Sequence, residues 1–115
     1  MRQSTIHIEV TLDDNKVPND ISWTASDSTA AEPRRADAMM LAMWDRTEKT
    51  ALRIDLWTPD MMVDEMADFY YQTLITMADS LLRATQQGEL VSQMKQFAKD
   101  FRTKFREKEL KENKA

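Results

Sequence analysis

His7 is the only imidazole in a chain of 115 residues that has no cysteine. It stands in an alternating run, TIHIEVTL, on the side shared by Thr5, Glu9 and Thr11. An imidazole can serve as a general base, but no serine or cysteine is placed beside it for activation. A solvent-facing strand histidine is the expectation. The second chemical constellation is acidic: Asp60, Asp64, Glu65 and Asp68 cluster where an amphipathic run begins, with Asp64 and Asp68 at i, i+4. Paired carboxylates at that spacing can hold a hard cation such as Mg²⁺ or Ca²⁺. Acids also collect at helix starts, where the backbone dipole is positive, and no histidine lies near. Capping is therefore the preferred role, and no metal site is assigned.

Glycine usage narrows the chemistry further. Gly88 is the only one, whereas phosphate-cradling loops need several so that backbone amides can approach an anion. Walker A, GxGxxG and GxSxG patterns are all absent. With one histidine and no thiol as well, few routes lead to an activated nucleophile. The expectation is a protein that is not an enzyme, with no catalytic residue, no bound cofactor and no nucleic-acid partner.

The remaining notable side chains suit contact better than catalysis. Trp23, Trp44 and Trp57 fall on three different expected strands. Trp57 opposes Leu52, Ile54 and Leu56 in the alternation, which places it on a sheet's outer face, where large aromatics favour interfaces. Trp23 and Trp44 are expected in the core. Among nine methionines, the Met61-Met62 pair is the best surface candidate, because both cannot point inward. Methionine adapts to varied partners through its flexible, polarisable side chain. Arg34 and Arg35 form the only exposed basic doublet of the N-terminal half. Trp57, Met61, Met62, Arg34 and Arg35 are thus the candidate interaction surface.

The elements that must position these residues read as follows. Residues 5–12 alternate, with Ile6, Ile8, Val10 and Leu12 on the inner side. Residues 13–16, DDNK, make a turn, since short Asx side chains bond the local backbone. A shorter strand follows at residues 20–25, with Pro18 at its entry. Residues 26–37 are polar and aperiodic, the longest loop and a candidate contact surface. Residues 38–44, AMMLAMW, have helix-prone composition, but the short polar turn that follows and the strand at 50–57 favour a hairpin. Thr58 can cap a helix and Pro59 suits its first position. Met62, Met66, Phe69, Tyr70, Thr73, Leu74, Met77, Leu81 and Ala84 then make one apolar stripe. Gly88 is expected as a left-handed C-cap, before a second stripe at Leu90, Val91, Met94, Phe97, Ala98, Phe101 and Phe105.

The expected fold is therefore α+β, ββββαα: two hairpins in one four-stranded antiparallel sheet, then a C-terminal helical hairpin. Residues 1–115 make a single domain, with 1–57 the sheet region, 59–112 the helical hairpin and 113–115 a frayed tail. The length suffices for one core. No apolar run of about 18 residues exists to cross a membrane, and the N-terminus lacks a signal-peptide h-region. A cytoplasmic protein without membrane insertion is expected. Net charge is −4, divided as 8 Lys+Arg against 16 Asp+Glu in residues 1–94 and 8 against 4 in residues 95–115. The basic tail alternates in sign, as a solvated, self-paired helix face does.

Three blocks, HIEVTLDDNKVPNDISWTASD at 7–27, MWDRTEKTALRIDLWT at 43–58 and VDEMADFYYQTLITMADSL at 63–81, stand in an order that resembles the gliding motility-associated GldC family of the Bacteroidetes. The methionine-rich AMMLAMW departs from that pattern. The resemblance implies a soluble accessory component of the gliding machinery, with no enzymatic activity and no cofactor. Its action would be protein–protein contact with a component of that machinery. A homodimer is expected as well, because uncovered sheet edges and an apolar outer face are a liability for a monomer. The element order also matches the SecB-type export chaperone, so a SecB-like cytoplasmic chaperone or export adaptor is the alternative, by architecture alone.

Overall fold

Period-2 alternation becomes strand and the apolar stripes become helix in the computed structural model, which describes residues 2–27 and 32–113. The elements are β1 (Ile6–Leu12), β2 (Pro18–Ala25), β3 (Arg34–Ala36), β4 (Ala38–Trp44), β5 (Ala51–Trp57), α1 (Val63–Thr85) and α2 (Gly88–Asn113). They fall into two compact units, Met1–Met61 and Met62–Ala115. Residues 28–31 of the expected loop and 114–115 of the expected frayed tail lie outside the described residues.

The first unit is all strand. β1, β2 and β3 form one antiparallel sheet in that order, and β4 and β5 form a second, two-stranded one. The α+β class with strands first and two helices last stands, but a single four-stranded sheet does not. Two features produce the difference. Part of the expected loop, Arg34–Ala36, pairs with β2 through Ile21↔Ala36 and Trp23↔Arg34. Three residues, two of them arginine, carry no alternation by which to recognise a strand. The chain then bends at Asp37, whose carbonyl accepts from the Thr58 N–H at 2.8 Å and from the Thr58 hydroxyl at 3.0 Å. The bend separates the two ladders.

β4 is strand over the whole of 38–44, despite its helix-prone residues. It pairs with β5 from Ala38↔Trp57 to Trp44↔Ala51, so cross-strand pairing overrides a propensity of only a few tenths of a kcal/mol per residue, ~0.7 at most.

Both hairpin turns use one device. Asp13 Oδ1 accepts from the N–H groups of Asn15 and Val17 at 2.8 and 3.0 Å. Asp45 Oδ2 accepts from the Glu48 N–H at 2.6 Å. In each turn a lysine takes the left-handed conformation, Lys16 at φ 64 and Lys49 at φ 56. With glycine absent there, lysine bears a strain of ~1 kcal/mol that the aspartate bonds offset.

The second unit is a helical hairpin. Its start corrects the expectation for Thr58 and Pro59: α1 begins four residues later, with Met62 as N-cap in extended geometry. Glu65 reaches back to accept from the Met62 N–H at 3.3 Å. Thr58–Met61 instead closes a turn, with the Met61 N–H on the Thr58 carbonyl at 3.1 Å. Gly88 is not the C-cap either. Gln86 ends α1 in the left-handed region at φ 59, its N–H on the Leu82 carbonyl, while Gly88 opens α2 with an ordinary φ. Small residues make the helix seam: Ala67, Ala78, Val91 and Ala98 are buried.

Candidate functional site

Directly opposed residues of an antiparallel pair share a face, so the registers sort every strand residue. In the three-stranded sheet Ile6, Ile8 and Val10 stand beside Ala25, Trp23 and Ile21 on one face. His7, Glu9 and Thr11 stand beside Thr24, Ser22 and Asp20 on the other. His7 Nε2 lies 3.1 Å from Glu9 Oε1, both side chains exposed. That is a surface pair on a polar sheet face.

Three members of the acidic cluster at α1 make local contacts. Asp64 Oδ1 accepts from the Glu65 N–H at 3.0 Å, Glu65 holds the Met62 N–H, and Asp68 lies 3.9 Å from Arg106. Among the described residues no group of three or more His, Cys, Asp or Glu converges as metal ligands would.

The alternation assigns faces correctly but misjudges burial. Ile6, Ile8 and Leu12, expected inward, are exposed, and only Ile21 of that face is fully covered. In the two-stranded sheet one face carries three apolar cross-strand pairs, Met39↔Leu56, Leu41↔Ile54 and Met43↔Leu52. Leu52 is 57% exposed and Ile54 51%, where a core role was expected. This open ladder is the surface feature that sequence reasoning missed, although its pattern was plain. Period-2 alternation states which side chains share a face and nothing about what covers it.

The candidate contact residues lie on β3, on β5 and at the start of α1. Trp57 is exposed and stands beside Ala38, on the face opposite the apolar ladder. With Val17, Pro18, Asp55 and Leu56 it lines a hollow of about 280 Å³. Trp44 shares its face, near the Arg53–Asp55 ion pair of 2.8 Å. At 67% exposure Trp44 is not the core residue expected. Trp23 is half-buried. Met61 is half-buried and Met62 exposed. Arg34 and Arg35 alternate in β3 and therefore point to opposite faces: Arg34 pairs with Trp23 on the apolar side, Arg35 with Ser22 on the polar side. Arg35 binds Asp20 at 2.8 Å. The doublet is not one basic patch.

The geometry offers open apolar faces and shallow hollows. Among the described residues no helix is long and apolar enough to cross a membrane. Comparison with curated proteins and with solved structures yields no match. The family of gliding motility-associated GldC-like proteins matches residues 18–107. That span runs from β2 into the last turns of α2 and holds every candidate contact residue. On that extent of match, this chain belongs to the GldC-like family.

Proposed function

We propose that this chain is a non-enzymatic cytoplasmic accessory protein of the gliding machinery, working by contact with another protein and by self-association. Family membership supports the choice of cellular process. The observation that supports contact is the β4–β5 ladder, where Leu52, Ile54 and Met43 lie exposed side by side. Contiguous apolar surface of this kind marks interaction sites in soluble proteins. A charge in the middle of the ladder will abolish partner binding and leave the fold intact, because the side chain it replaces is already half exposed and a carboxylate can turn to water.

The test is complementation in a gliding bacterium lacking its own copy of this gene. The wild-type chain restores spreading, while Ile54→Asp, expressed to the same level and with native circular dichroism, does not. Restoration by Ile54→Asp would refute the ladder as the working surface. No spreading defect on deletion would refute the gliding role. The second reading, a SecB-like holding chaperone, is favoured by the exposed apolar residues of both units. It requires that the protein suppress aggregation of several unrelated unfolded clients, which a dedicated accessory protein will not do.

A further inference from the structure

The helical hairpin has two unlike faces. One is latched by charge. Lys95 Nζ lies 2.7 Å from Asp79, Arg106 3.9 Å from Asp68, and the Arg102 guanidinium sits 3.9 Å over the Tyr71 ring. The other face is apolar. Tyr70, Leu74 and Met77 follow one another at helical spacing on α1, as do Leu90, Phe97 and Phe101 on α2. The Tyr70 and Phe101 rings meet across the seam at 6.3 Å. Two adjoining hollows of about 480 and 420 Å³ share Phe97 as a wall. Phe97 is 61% exposed, and Met77 and Leu90 about half.

We propose that this face is the self-association surface and that its occupant is the same face of a second copy, two hairpins closing into a four-helix layer. The proposal rests on the self-association part of the function given above and names its location. Two observations carry it. The first is charge placement: between Glu65 and Arg83 the only charged residues of α1 are Asp68 and Asp79, and both are bound on the latched face. The α1 half of the apolar face is left without charge, as interface cores are, while Asp100, Lys104 and Lys108 of α2 line the hollow towards its far end.

The second is area. Helices of 23 and 26 residues, rising 1.5 Å per residue and lying 8–10 Å apart, present a plane footprint of roughly 650 Å². Corrugation by side chains raises the accessible area towards the ~800 Å² per partner of a stable interface. The β4–β5 ribbon, with strands of seven residues, offers only roughly 250 Å². The hairpin face can sustain a dimer, whereas the ribbon alone cannot.

Light scattering with wild-type protein at about 500 µM will report twice the 13.4 kDa of one chain. Phe97→Asp and, separately, Met77→Lys will return it to one chain, raising the dissociation constant at least about thirtyfold, with helical circular dichroism unchanged. Ile54→Asp and Trp57→Ala on the sheets will stay dimeric. A single-chain mass for wild type, a folded Phe97→Asp and Met77→Lys that both remain dimeric, or dissociation by Ile54→Asp would each overturn the proposal. A monomeric wild type leaves the accessory role standing, because spreading is scored independently.

Discussion

Thr58 offers the sharpest test of how this chain is built. It is 2% exposed, and its N–H and hydroxyl both donate to the Asp37 carbonyl, at 2.8 and 3.0 Å. Thr58→Val keeps the shape and removes only the hydroxyl. The Asp37 carbonyl retains the N–H donor, so no buried acceptor is orphaned and the cost is about 1 kcal/mol, a fall in midpoint of about 4 °C for a chain of this size. Thr58→Asp decides between two structures. As a helix N-cap, aspartate equals or exceeds threonine, and the helix would gain. Buried against a carbonyl oxygen, a carboxylate has no donor at that position and loses its water. The destabilisation then exceeds about 3 kcal/mol, or roughly 10 °C. Tryptophan emission is the right probe, because Trp23, Trp44 and Trp57 all belong to the Met1–Met61 unit. Far-ultraviolet circular dichroism follows α1 and α2 in the same urea titration. A Thr58→Asp protein whose emission midpoint matches or exceeds that of wild type would refute the assignment of Thr58 to the sheet unit.

Three further substitutions test neighbouring conclusions. Gly88→Ala should stabilise the hairpin by about 0.5 kcal/mol in a circular-dichroism melt, since a Cβ there meets nothing within 4 Å and φ is not positive; a loss would restore glycine's role as left-handed cap. Lys49→Gly relieves the left-handed lysine at φ 56 and should raise the tryptophan-emission midpoint by about 0.5 kcal/mol after the entropy of glycine is subtracted. Ala98→Leu forces a large side chain into a fully buried seam position and should cost about 1–3 kcal/mol, whereas a neutral result would show that the helices are not closely packed there.

Local chemistry was sufficient for much of this molecule. The strands at 6–12 and 51–57 and both helices follow from side-chain periodicity, which each segment carries within itself, whereas 38–44 is legible only through the turn and the strand that follow it. The aspartate turns follow from short-range bonds at Asp13 and Asp45. The family, too, was legible, because its unusual residues recur in linear order. Tertiary structure decided the rest. Thr58 reads as a cap until Asp37, far away in sequence, takes both of its donors. Arg34–Ala36 is strand only because β2 offers an edge. Ile54 and Phe97 are apolar at well-spaced positions, and spacing alone assigned them to a core. Whether an apolar face is covered depends on which surfaces meet, and that is a property of the assembled chain rather than of any segment in it.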